Sequence, residues 1–126
     1  MAATQEAIDT AKIAAEAAAS KLASDIVAFD VSEKLAVADI FLIVSGHNEP
    51  QVDAIMDEVQ DKILAQIQQR PIRREGDRQL RWVLLDYGDV VVHIQHESER
   101  VLYSLERLWK DCPQIDLGLV DADGNS

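Results

Sequence analysis

At 126 residues the chain is long enough for one domain and too short for two of ordinary size. Hydrophobic residues make up 48% and charged residues 28%, a mixture that excludes disorder across the whole chain. With 12 basic against 23 acidic residues the net charge is −11. That disfavours broad, sequence-independent binding to nucleic acid over the whole surface and suits either a basic protein partner or plain solubility.

The lone cysteine, Cys112, has no partner for an intramolecular disulfide and no second thiol for a metal site, which fits a reducing compartment. No apolar run approaches the roughly 20 residues of a membrane span. The start, MAATQEAIDTAK, lacks the basic and apolar blocks of a signal peptide. A soluble, cytoplasmic protein is expected.

Residues 4–24 are rich in alanine and free of Gly and Pro, which predicts a helix with Thr4 as N-cap. Its shallow apolar stripe runs through Ile8, Ala11, Ala15, Ala18 and Leu22. A strand is expected over 26–31. The continuous run Ile40–Phe41–Leu42–Ile43–Val44 predicts a second strand, buried on both faces. The turn Ser45–Gly46–His47–Asn48 leads into a helix carrying Val52, Ile55, Met56, Val59, Ile63, Leu64 and Ile67 at helical spacing. Asn48 is its N-cap, and Pro50 lies where first-turn N–H groups are unpaired anyway. Residues 68–79, punctuated by Pro71 and Gly76, read as a loop or an irregular edge strand. A hairpin follows, with strands over 80–86 and 89–95 about a turn at Tyr87–Gly88. Ser98 then caps a last helix whose apolar face is Val101, Leu102, Leu105, Leu108 and Trp109, ended by Cys112–Pro113. The domain is placed at 1–113 and a flexible acidic tail at 114–126. The order α-β-β-α-β-β-α predicts an α/β protein with a mixed sheet and packed helices.

Residue spacing argues against catalytic and metal chemistry. His93 and His96 lie three apart at a strand end, where their side chains diverge, and HIQHE is neither zincin order. The tail DADGNS has its glycine too early for a calcium loop and stops before the twelfth-position glutamate. A nucleotidyltransferase needs an Asp-x-Asp pair on a strand and a Gly-Ser turn; here the turn reads Ser45–Gly46 and no strand carries the pair. No nucleophile has a nominated base. No cofactor or metal is expected, and no enzyme.

The hairpin carries more information. With a loop at Tyr87–Gly88, Asp86 opposes Asp89, Leu84 opposes Val91 and Trp82 opposes His93, so these six share one face. Val83, Leu85, Val90, Val92 and Ile94 make a wholly apolar opposite face that must be core. Opposed aspartates cost stability. The first face is therefore either a partner surface, with Trp82 as anchor and aspartates as charge complement, or a surface covered by a helix. Arg100 and Tyr103, three apart on the next helix, present to one side or are simply solvated.

In order and spacing, the stretches DIVAFDV, ADIFLIVSG, WVLLDYGDVVVHI and ERVLYSLERLW resemble the ribosomal silencing factor (Iojap) family over residues 5–112. The resemblance implies a nucleotidyltransferase-like topology without the catalytic carboxylates. It implies binding to the large ribosomal subunit through the basic ribosomal protein L-fourteen, at the surface where the subunits meet. Blocking subunit joining there lowers translation when nutrients are scarce; a role in large-subunit maturation is the alternative. Carried residue by residue, the docking role falls on Trp82, Leu84, Asp86, Tyr87, Asp89, His93, Arg100 and Tyr103. Self-association of the free protein through the exposed hairpin face stays open.

Overall fold

The computed structural model describes residues 2–119. Helix α1 (Gln5–Ser20) starts where Thr4 accepts a hydrogen bond from the Ala7 N–H at 3.1 Å. Ala7, Ala11, Ala14, Ala15, Ala17 and Ala18 are all buried. Their small side chains let the helix axis lie close to its neighbours, since interaxial distance follows side-chain size at the contact. The expected stripe overreaches at one end. Leu22 lies beyond the helix with φ 64° and is 79% exposed. Helix α2 (Glu49–Ile67) begins where Asn48 accepts from the Gln51 N–H at 2.8 Å. It buries Val52, Ile55, Met56, Val59 and Ile63.

Five strands form one mixed sheet: β1 (Ser24–Asp30), β2 (Ile40–Gly46), β3 (Arg73–Glu75), β4 (Trp82–Asp86) and β5 (Val90–His96). Their spatial order is β1-β2-β5-β4-β3. Among the described strands only β2 and β5 run parallel, with α2, β3 and β4 between them in the chain; the other pairs are antiparallel. Ile40, Leu42, Val44, Val83, Leu85, Val90, Val92 and Ile94 face α1 and α2 and form the main core. Phe29, Ile43 and Val91 face the other way into a smaller cluster closed by Leu105, Trp109 and Cys112. The continuous apolar run of β2 is thus buried on both faces.

The hairpin register differs from the expected one. The Tyr87 N–H donates to the Val90 carbonyl at 2.9 Å, so the two-residue turn is Gly88–Asp89. Asp86 opposes Val91, Leu84 opposes His93, and Trp82 opposes Gln95. Gly88 has φ +92° at the first central position, where this kind of hairpin turn calls for glycine. The turn therefore separates the two aspartates, and the expected like-charge pair does not exist. Gly76 also serves the hairpin: a Cβ there would lie 2.0 Å from the Trp82 carbonyl oxygen.

The last helix is two short ones, α3 (Glu97–Tyr103) and α4 (Leu105–Leu108), broken at Ser104 with φ 45°. The cap is His96, whose Nδ1 accepts from the Ser98 N–H at 3.2 Å, and not Ser98. Beyond Pro113 the chain does not leave the fold at once. Ile115 N–H donates to the Ala28 carbonyl, Gln114 bridges Phe29, and Leu117 is buried in the main core. Residues 114–119, expected in the tail, thus pack against the fold, and 120–126 of the expected tail lies outside the described residues.

Candidate docking surface

The face of the sheet opposite α1 and α2 is covered unevenly. At the β1–β2 end, Leu105, Trp109 and Cys112 close it. Towards β4 the cover thins. There an aromatic row crosses the sheet: Trp109 meets Phe41 edge-on at 5.2 Å, Phe41 meets His93 at 4.8 Å, His93 meets Trp82 at 6.2 Å, and Trp82 meets Tyr103 at 4.9 Å. The row starts at the partly buried Trp109, passes the buried His93 and ends on Tyr103, which is 53% exposed. Val101 (80% exposed), Leu102 and Leu108 stand out from the same helices. These three were expected to share one apolar face with Leu105 and Trp109. The break at Ser104 turns Leu105 and Trp109 onto the sheet and leaves the other apolar residues in solvent. Several large apolar side chains exposed on adjoining short helices suit a contact surface better than a lone exposed leucine does.

The eight residues expected to dock fall into two groups. Trp82, Leu84 and Asp86 are half-buried on β4, with Tyr103 beside Trp82. Asp86 is engaged locally: its carboxylate accepts from the Gly88 N–H at 2.8 Å and from Arg73 at 3.5 Å. Asp89 sits in the turn, where burial and the nearby carboxylates of Asp39 and Glu6 raise its pKa above the ordinary carboxylate value.

The remaining three are interior. Tyr87 points to the α1–α2 side and is buried in the main core, with its hydroxyl pushed up to about 12 by burial. Arg100 is 6% exposed, donating to the Ser45 hydroxyl at 2.8 Å and lying 3.0 Å from the Glu106 carboxylate. It ties α3 to β2 and offers no free guanidinium to a partner. His93 is buried and accepts the Trp82 indole N–H at Nδ1, 3.2 Å. The bond holds the indole in place and requires the unprotonated Nδ1 of a neutral imidazole.

Among the described residues no group of three or more His, Cys, Asp or Glu is arranged to hold a metal, and no helix is long and apolar enough to cross a membrane.

The family described as "Ribosomal silencing factor during starvation" matches residues 4–126. The chain belongs to that family. It is similar to ribosomal silencing factor RsfS of Bacillus subtilis, 48% identical over 84% of this chain and 89% of the relative. The RsfS of Halalkalibacterium halodurans is 46% identical over 84% and 90%. A crystal structure of a Chromobacterium violaceum protein superposes with a TM-score of 0.79 at 32% identity, covering 84% of this chain and 88% of that one. These relatives are named for a regulatory role, not for catalysis.

Within this silencing-factor fold, the buried histidine makes stability depend on pH. Burial lowers the His93 pKa from 6.5 to about 4. Between these values the unfolded chain binds a proton that the folded one refuses, so stability is complete above pH 6.5 and falls as pH drops towards 4. Denaturant unfolding of the wild type should lose about 2–3 kcal/mol more between pH 7 and 4.5 than unfolding of His93→Gln, which removes this group from the balance. Parallel losses in the two proteins would show that His93 titrates normally.

Proposed function

We propose that this chain silences ribosomes by docking on the large ribosomal subunit through ribosomal protein L-fourteen, where its bulk blocks the joining of the small subunit and represses translation. It does so as a soluble, cytoplasmic protein without a cofactor. The observation that carries this reading is the aromatic row ending at Tyr103 amid exposed Val101 and Leu102, on a chain of the silencing-factor family. Trp82, Leu84 and Tyr103 provide an apolar anchor already held in position, so little side-chain freedom is lost on binding. Asp86 and Asp89 at the hairpin tip supply negative charge for a basic partner. His93, Arg100 and Tyr87 act from beneath, fixing Trp82, α3 and the hairpin. The net charge of −11 favours approach to a basic protein through long-range attraction.

Sedimentation with separated subunits tests the partner. The protein should travel with large subunits and not with small ones, and purified L-fourteen should capture it. Equal recovery with both subunits would remove the reading.

A further inference from the structure

The acidic chain carries one strongly basic segment. Five of its 12 basic residues, Arg70, Arg73, Arg74, Arg78 and Arg81, fall within residues 70–81, against two acids, Glu75 and Asp77. All five arginines are exposed. They lie on and around β3, the edge strand beside β4. Arg73 opposes Asp86 and so stands on the same face of the sheet as Leu84 and Trp82. Arg81, next to Trp82, reaches α3 through Glu99 and Ser98 at 3.0 and 2.5 Å. The basic strip therefore borders the proposed docking surface along its outer edge.

Much of the strip is held in local ion pairs: Arg73 with Glu75 and Asp86, Arg74 with Asp77, Arg81 with Glu99. Arg70 and Arg78 form no ion pair among the described residues. On its α2 side, Arg70 and Arg74 share a groove with Asp57 and Asp61, an unsuitable wall for an anion. The open side is the solvent edge. Charges on an edge strand discourage pairing with another sheet, but either sign serves that purpose. Edge protection alone leaves the excess of arginine unexplained.

We infer that this strip takes the phosphodiester backbone of ribosomal RNA beside the protein on which the aromatic surface docks. The inference rests on the proposed ribosomal function. A basic protein partner complements the acidic remainder of the chain and repels the strip, so the strip faces a surface of opposite sign. A ribosomal protein set in RNA presents both signs side by side. The planar guanidinium fork matches phosphate oxygens in pairs, and arginine, with no lysine, occupies the strip.

The test is the double variant Arg70→Gln/Arg78→Gln, whose exposed side chains leave the fold untouched. Its affinity for intact large subunits should fall about tenfold near physiological salt, and the slope of log affinity against log salt should flatten by about 1.5. Affinity for isolated L-fourteen should stay unchanged. A photo-crosslinker attached through Arg78→Cys should label ribosomal RNA. Unchanged subunit affinity and slope, an equal loss towards isolated L-fourteen, or crosslinks confined to protein would each overturn the inference. If the wild type ignores isolated L-fourteen while the subunit slope and the RNA crosslink behave as expected, the strip stands and the proposed protein partner falls.

Discussion

Val92→Asp should abolish folding, whereas Val101→Asp should leave it intact. Val92 has no exposed surface and sits on β5 in the core between the sheet and α1–α2. A carboxylate there is either charged in an apolar interior or protonated without hydrogen-bond partners, and loses the valine's packing as well. The cost is more than about 4 kcal/mol, against a total stability of about 5–15 kcal/mol for a domain of this size. Val101, also an apolar residue in a helical pattern, is 80% exposed on α3, so the same change there should shift stability by no more than about 0.5 kcal/mol. Circular dichroism and a denaturation curve on each variant check the contrast. A folded Val92→Asp, or an unfolded Val101→Asp, would mean that the two faces of the C-terminal half are assigned the wrong way round.

The contrast also shows where sequence reasoning reaches and where it stops. Helix and strand periods marked α2 and the buried strands, and Thr4 and Asn48 are the caps their side chains suggest. The division of the hairpin into two faces survived an error in its turn. Moving the turn centre on by one residue slides the pairing by two, and side chains alternate with a period of two, so every residue paired in both registers keeps its face. What changed was the neighbour: Asp86 opposes Val91, not Asp89. Glycine suits more than one position of a tight turn, so the residues alone did not fix the centre.

The break at Ser104 carried no local signal either. Apolar residues at 101, 105 and 108 keep helical spacing through it. A left-handed serine costs roughly 1 kcal/mol, offset by the packing of Leu105 and Trp109 on the sheet and by the anchoring of Arg100. Arg100 itself was read as a surface group because its partner, Ser45, is 55 positions away in sequence. Tyr87 was placed in the turn and, on the strength of a motif, with the docking residues; with the turn at Gly88–Asp89 it continues the alternation of Val83 and Leu85 onto the core side.

The second large effect concerns binding. Tyr103→Ala should weaken association with large subunits by about 2 kcal/mol, roughly 30-fold, as truncation of a central aromatic anchor does. Tyr103 is half exposed, and its ring contact is with Trp82, so the free protein should lose little stability. Trp82→Ala should weaken binding as much and also lower stability by about 1–3 kcal/mol, because the buried Nδ1 of His93 loses the indole N–H that it accepts. The pair separates anchoring from support: both variants bind poorly, but one of them alone is destabilised. Normal binding by folded Tyr103→Ala would move the docking surface away from α3 and β4.

Subunit joining tests the central claim most directly. Purified large and small subunits are mixed with saturating wild-type protein or with Tyr103→Ala, and the joined ribosomes are measured by sedimentation. The wild type should sharply reduce the joined fraction, and Tyr103→Ala should restore it at the same concentration. A joined fraction that wild-type protein leaves unchanged, while it remains bound to the large subunit, would contradict the account.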